Sequence, residues 1–518
     1  MIVRAPLSRR RFLLRAAAST AISAVGGIAK PYLSRAADRP LITHGIQSGD
    51  VSVDSAVIWA RADRPARMLV EVATSDSFKT VERALFVDAL PESDFTAKAL
   101  IEGLPAGQDI FYRICFQDLA SPTITGEPMV GRFRTAPRDL RSISFVWSGD
   151  TAGQGWGIDE ARGGMRAYAT MLRTRPDFFL HSGDTIYADG PVPAQLTTES
   201  GRVWRNITSE AKSKVAETLD DYRGNYRYNL MDENIRRFNA EVPQIWQWDD
   251  HEVVNNWSPG KQLDERYKSK DIHSLVGRAR QAWLEYAPMR LQSADDGGRI
   301  YRKLSYGPMM DVFVLDMRSY REANDDNLGA AKPFLGREQL DWLKRELKGS
   351  QAQWKVIAAD MPIGLGVPDG EVSPGVARWE AVANGDPGPA QGRELEIAEL
   401  LGFLRAQQVR NFVFLTADVH YCAAHHYHPD RAAFQDFEPF WEFVAGPLNA
   451  GSFGPNPLDK TFGPEVVFEK APQAQNTSPF AGFQFFGEVN IDGQTGEMSV
   501  VLRDLDGVGV FERKLQPV

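Results

Sequence analysis

The chain has 518 residues, 43% hydrophobic and 25% charged, a composition that excludes wholesale disorder and a length beyond one ordinary domain. Its net charge of -9 argues against a nucleic-acid backbone as partner. With Cys115 and Cys422 its only cysteines, neither a disulfide framework nor a cysteine zinc cluster holds the fold together.

In chain order, residues 1–37 read as a signal peptide. Ser8-Arg9-Arg10-Arg11-Phe12-Leu13-Leu14 is a twin-arginine pattern, the alanine-rich AAASTAISAVGGIA follows it, and Ser34-Arg35-Ala36-Ala37 offers a cleavage site. The partner this implies is the twin-arginine translocase, which exports proteins already folded. The expected location is therefore periplasmic or secreted, and a metal loaded before export would suit that route. No later run reaches the ~20 apolar residues of a membrane span, so no stable membrane anchor is expected after cleavage.

Residues 42–136 contain VDSAVIWARA, RMLVEVATS, ALIEGL and IFYRICFQD, short partly alternating runs between turn residues, the pattern of a small β-sandwich. After TAPRDLRS the texture changes. From 140 to 518, apolar runs (SISFVWSG, DFFLHSG, PQIWQW, MMDVFVL, WKVIAA, NFVFLTA) alternate with helical segments. GGMRAYATMLRTR, SEAKSKVAETLDDYRGNY, REQLDWLKRELKG and ELEIAELLGFLRAQ carry apolar residues at helical spacing. The fold class this predicts is α/β, with a sheet buried on both faces and a small all-β domain before it. Pro368 to Gly392 reads as a long loop near the site.

Each of the six apolar runs is followed by an aspartate: Asp150, Asp184, Asp249-Asp250, Asp316, Asp360 and Asp418. Ligands of α/β sheets bind beyond the carboxyl ends of strands, so neighbouring strands would bring these acids to one rim. Carboxylates so crowded require counter-charge, and metal cations supply it economically. In LTADVHY, Asp418 and His420 would point the same way along an extended segment and could reach one ion. In WDDHEVVNN, Asp250 offers a ligand beside His251, an imidazole that need not be one. A carboxylate shared between two ions would make a binuclear centre about 3.5–4 Å across. Hard oxygen donors with few histidines favour Fe(III), Mn or Ca over a thiolate-type zinc site.

GDTIYADG, WDDHEVVNNW, LDMRSYR and ADVHY, in that order, resemble the PhoD family of alkaline phosphatases and phosphodiesterases, members of the calcineurin-like metallophosphoesterases. ITHGIQSGDVSVDSAVIWARA is similar to the start of that family's N-terminal β-sandwich. The resemblance runs from about residue 42 to the end. It implies a layered metallophosphoesterase-like β-sandwich core flanked by helices, and an Fe3+–Ca2+ centre, with Mn2+ or Zn2+ as alternatives, hydrolysing small-molecule phosphate esters. The family's bridging aspartate falls on Asp184, its iron-binding tyrosine on Tyr187, and its D-x-H iron ligands on Asp418 and His420. Many members carry a cysteine after the first strand where this chain has Gly149-Asp150; Asp150 is the replacement ligand, and the metal identities stay open.

DDHE stands where broader relatives have G-N-H-E. That match makes Asp250 a second-metal ligand and His251 the catalytic imidazole facing the phosphoryl group, with Asn255 a competing ligand. Arg318 and Arg321, in DMRSYR, are candidates for gripping the non-bridging phosphate oxygens. His425, His426 and His428 are expected to lie around the centre or face solvent. Besides a phosphomonoesterase, the sequence allows a phosphodiesterase or phospholipase on the same metals, and a non-catalytic secreted metal-binding protein.

Overall fold

The computed structural model describes residues 39–290 and 298–518. The twin-arginine segment lies outside them. Two large sheets dominate. In the first, the parallel strands Ile143–Ser148, Phe178–Ser182 and Gln244–Gln247 form the centre. Antiparallel strands Phe485–Ile491, Met498–Asp504 and Gly509–Leu515 extend it on one side. In the second, Met310–Val314, Trp354–Ala358, Phe412–Thr416 and Phe440–Val444 run parallel; Arg302–Tyr306 flanks them antiparallel on one side and Cys422–Tyr427 on the other, with Pro464–Lys470 pairing antiparallel to Cys422–Tyr427 at the edge.

The six apolar runs therefore divide three and three between two sheets, rather than lying side by side in one. The sheets stack face to face. Phe145, Trp147, Phe178, Leu180 and Ile245 from the first meet Val312, Val314, Val356, Ala358, Val413 and Leu415 from the second in one buried core. The alternate residues face outward into helix-covered cores: Val146, Phe179 and Trp246 into one, Phe313, Ile357 and Phe414 into the other. Each strand is apolar on both faces because each sheet is covered on both. The architecture is four layers: helices, sheet, sheet, helices.

The covering helices follow from sequence. Arg337–Gly349 buries Leu340, Leu343 and Leu347 at i, i+3 and i+7, and Glu394–Ala406 buries Ile397, Leu400, Leu401 and Leu404. The expected helix over SEAKSKVAETLDDYRGNY begins only at Leu219, where Thr218 and Asp221 form a reciprocal capping box. Helices Glu233–Glu241 and Ile272–Tyr286 join it on the first sheet's outer face. The 368–392 loop contains a small hairpin, Pro368–Ser373 with Val376–Trp379.

In segment 42–136, strands Ala66–Ala73, Arg83–Ala89, Asp109–Asp118 and Met129–Arg134 form a four-stranded sheet. Ile42–Gly49, Ser55–Ala62 and Thr96–Glu102 oppose it across a shared core and also extend the first large sheet, through Gly49 beside Gln244. A buried bidentate ion pair, Arg302 with Asp50, ties this segment to the second sheet.

Three side chains lock the carboxyl ends of the two sheets together. Trp147 Nε1 donates to Thr416 O at 3.2 Å, Gln247 Nε2 to Leu315 O and Ala358 O at 3.0 and 3.1 Å, and Trp248 Nε1 to Asp316 Oδ1 at 3.0 Å. The Trp147 ring also requires glycine opposite it: a Cβ on Gly487 would lie 2.0 Å from its atoms. No helix among the described residues is long and apolar enough to cross a membrane.

Candidate metal centre

The locked strand ends carry the acids. Asp150, Asp184, Asp418 and His420 all have positive φ, from 52° to 68°. That conformation is unfavourable for non-glycine residues, and four of them lie together in these turns. Gly183, at φ 95°, is required beside them, because a Cβ there would lie 2.3 Å from Asp249 Cβ.

Three overlapping groups result, each with ligand atoms within 4.8 Å of one another: Asp150, Asp184 and His420; Asp184, Asp250 and His251; Asp249, Asp250 and Asp418. Tyr187 joins the first, its hydroxyl 2.9 Å from His420 Nε2 and 3.5 Å from Asp150 Oδ1. His420 Nδ1 faces Gly451 O, which assigns that nitrogen's proton to the carbonyl and leaves the Nε2 lone pair toward the acids. Asp184 belongs to two groups, and so does Asp250.

A cation fits this donor set. Asp150 Oδ2, Asp249 Oδ2 and Asp250 Oδ1 are buried oxygens with no hydrogen-bond partner among the described residues. Burial, reinforced by neighbouring carboxylates, pushes Asp150 up to about 8 and Asp184 well above the carboxylate range. Burial drives Asp249 and Asp418 the same way. Asp250 is the exception: burial opposes its ionisation, but His251 and Arg318 hold it below the usual range. Burial is the main cause of these raised values, and a cation among the carboxylates would offset it.

His251 is held as an acid–base group would be. Its Nδ1 lies 2.6 Å from Asp189 Oδ1, its backbone N–H donates to Asp184 Oδ1 at 3.1 Å, and its ring packs on Tyr187 with centroids 4.2 Å apart. Nε2 has no hydrogen-bond partner among the described residues and lies 3.9 Å from Asp250 Oδ1. Burial disfavours the imidazolium, yet Asp189, Asp250 and Asp184 together raise His251 well above its ordinary value. With side chains 12% and 11% exposed, His251 and Asp418 form the part of the cluster open to solvent.

Several expectations need correction. Asp418 and His420 do not share one group. Both take left-handed backbone rather than extended geometry, so Asp418 turns to Asp249 and Asp250 while His420 turns to Asp150 and Asp184. Asn255 has an exposed side chain, unlike the buried acids, and among the described residues only its backbone N–H is engaged, by Asp189 Oδ2 at 3.0 Å. Arg318 is fully buried among Asp249, Asp360, Glu380 and Asp418, and Arg321 is spent on Glu380 and Asn324. Neither guanidinium is open to a substrate. Asp316 is a turn residue, accepting from the N–H groups of Arg318 and Ser319. His425 bonds Glu442 in the second sheet and belongs to none of the groups.

Three further residues hold the cluster together without a clear local signal in the sequence. Asp189, which orients His251, follows Asp184 by five residues in GDTIYADG, and that spacing was its only signal. Glu252 accepts from the backbone of Asp184, Thr185 and Asp249 and from Thr185 Oγ1, tying both acid-bearing turns together. Glu380 reaches Arg318 from the 368–392 segment, and nothing local announces it.

Comparisons to known proteins place the chain in a family. Residues 145–502 match the family model described as PhoD-like phosphatase, and residues 27–137 match that of the PhoD-like phosphatase N-terminal domain. The chain belongs to the PhoD-like phosphatase family, and with it to the phosphoric ester hydrolases. It is 27% identical over 471 residues to alkaline phosphatase D of Bacillus subtilis (strain 168), covering 85% of this chain and 74% of that protein. A solved structure of PhoD superposes with a TM-score of 0.68 at 21% identity, covering 92% of both chains. The purple acid phosphatase PPD1 from yellow lupin (Lupinus luteus) seeds shares the fold more loosely, with a TM-score of 0.57 at 12% identity over 92% of this chain and 74% of that one.

Proposed function

We propose that the chain is an exported phosphatase acting on small phosphate monoesters and diesters at a binuclear metal centre. The observation that carries this reading is the overlap at Asp184. One buried carboxylate is shared between a group containing His420 and a group containing Asp250 and His251. In this reading Asp150, Asp184, Tyr187 and His420 would hold one cation and Asp184, Asp249, Asp250 and Asp418 a second. The phenol and imidazole give the first set the character that suits Fe3+, whereas carboxylates alone suit Ca2+. When bound, such cations supply Lewis acidity, offsetting phosphoryl charge and acidifying water.

The chain's own residues do the rest. Asp189 fixes the His251 ring and stabilises its charged form, leaving Nε2 at the open side of the cluster as a proton donor for the departing ester oxygen. Tyr187 packs against the imidazole and limits its motion. Glu252 keeps the Asp184 and Asp249 turns in register. The burial of Asp150 and Asp184 excludes bulk water behind the reacting face. Arg9 and Arg10 would direct export of the folded protein; their replacement by lysine should leave activity in the cytoplasm.

The reading is tested by metal analysis of purified protein together with hydrolysis of aryl phosphate mono- and diesters. Two metal ions per chain and release of phosphate or aryl alcohol are expected. Metal retained without hydrolysis of any such ester would favour a binding protein.

A further inference from the structure

Three nitrogens of one side chain, Arg318, make five contacts with the acids of the metal centre. Nε donates to Asp249 Oδ1 at 2.7 Å and to Asp360 Oδ2 at 3.0 Å, Nη1 bonds Glu380 Oε1, and Nη2 pairs with Asp249 Oδ1 and lies 3.5 Å from Asp418 Oδ1. The guanidinium and the carboxylates of Asp249, Asp360 and Glu380 are essentially inaccessible to water. These acids come from the ends of three strands and from the 368–392 segment, so one cation gathers four separate stretches of chain. The backbone holds Arg318 there: its own N–H donates to Asp316 Oδ1 at 3.1 Å, just after strand Met310–Val314. Arg321 is no substitute. It touches only Glu380 among these acids, at 3.3 Å, and its other donor goes to Glu380 O and Asn324.

The acids give Arg318 only part of themselves. Asp249 Oδ2, Asp360 Oδ1 and Glu380 Oε2 remain without hydrogen-bond partners among the described residues. Asp249 and Asp418 also belong to the outermost of the three metal-type groups, so the arginine and a bound cation would share the same two carboxylates from opposite sides. A lysine could not do this, because a single ammonium lacks the planar fork that addresses acids in different directions.

We propose that Arg318 is the resident counter-ion of the metal centre, a positioning residue that lets the acidic site fold and converge before any metal is bound. The role rests on the metal-centre reading above for its biological purpose, but not for its test. The carboxylates around Arg318 repel one another, and folding them together without a cation is unfavourable unless a fixed positive charge stands among them. With Arg318 present, metal loading completes a site that is already assembled.

The experiment compares urea unfolding midpoints of the wild type, Arg318→Met, Arg318→Lys and the double variant Arg318→Met/Asp360→Asn, each in EDTA and in saturating Ca2+. Metal content and aryl phosphate hydrolysis of the wild type are measured on the same preparation. Arg318→Met should lose stability in EDTA far more than in Ca2+. Arg318→Lys should fall between it and the wild type, and removing the Asp360 charge should recover part of the EDTA loss. Equal losses in both media, with no recovery from Asp360→Asn, would make Arg318 a packing element and overturn the proposal. So would wild-type stability of Arg318→Met in EDTA. If Arg318→Met fails to fold, the lysine and double variants decide by the same comparison. A wild type that binds no metal and hydrolyses nothing would refute the functional reading while leaving the EDTA comparison interpretable.

Discussion

Asp189 Oδ1 lies 2.6 Å from His251 Nδ1, and the same carboxylate's other oxygen accepts the N–H of Asn255. One acid thus fixes both the imidazole and the turn that follows it. Asp189→Asn should retain bound metal, since Asp189 belongs to none of the three groups. Turnover should fall by at least about 10-fold, because the imidazole loses the carboxylate that orients it and stabilises its charged form. Metal analysis beside steady-state hydrolysis checks this, and loss of metal would place Asp189 among the ligands.

Asn255 and Asp250 sit in the same nine-residue stretch with opposite expectations. Asn255→Ala removes an exposed side chain outside the cluster and should leave metal content unchanged and activity within a few-fold. Asp250→Ala removes a buried carboxylate shared by two groups and should release at least one ion. Parallel metal counts on the two variants settle which residue of WDDHEVVNN is the ligand.

Gly153 faces the Tyr187 ring so closely that an added Cβ would lie 2.5 Å from Cζ. Gly153→Ala should therefore displace the phenol. If Tyr187 binds Fe3+, the visible charge-transfer absorption of the purified protein should weaken or shift in this variant. An unchanged spectrum in a folded, iron-loaded Gly153→Ala protein would remove Tyr187 from the ligand set.

His181 supplies a pH test of stability. It lies on strand Phe178–Ser182, 2% exposed, with Nε2 on Thr151 Oγ1 at 3.1 Å, and burial pushes its pKa down to about 3. The unfolded chain takes up a proton on this residue below its ordinary value near 6.5, whereas the folded chain does not until about 3. Stability is thus fully present above that ordinary value and is lost as pH falls, by at most about 1.4 kcal/mol per pH unit from this group. Urea midpoints for His181→Gln should fall less steeply than wild type between about pH 6 and 4.

Much of the site was legible because it is carried by strand ends and short motifs. The aspartate after each apolar run marks where each strand stops, and Asp150, Asp184, Asp250 and Asp418 do converge. Sheet assignment was not legible. Strands buried on both faces look alike whether they share one sheet or two, and only the pairing of Met310–Val314 with Trp354–Ala358 rather than with Gln244–Gln247 separates them. Backbone hand was not legible either. Residues at i and i+2 share a side only in extended chain, and positive φ at Asp418 and His420 sends them to different groups. Arg318 looked like a substrate clamp because its acid partners lie 42 to 69 residues away or more, where local pattern carries no information.

In the proposed function Asp184 joins two metal positions while His251 serves the chemistry beside them. The most direct measurement determines metal per chain and single-turnover hydrolysis of an aryl phosphate on the same preparations of wild type, Asp184→Ala and His251→Ala. Asp184→Ala should empty at least one position and lose activity with it. His251→Ala should keep most of its metal yet turn over about 10²–10⁴-fold more slowly, the scale of a lost acid–base group. Loss of metal from His251→Ala as complete as from Asp184→Ala would make the imidazole a ligand, and full metal in Asp184→Ala would contradict the shared carboxylate on which the account rests.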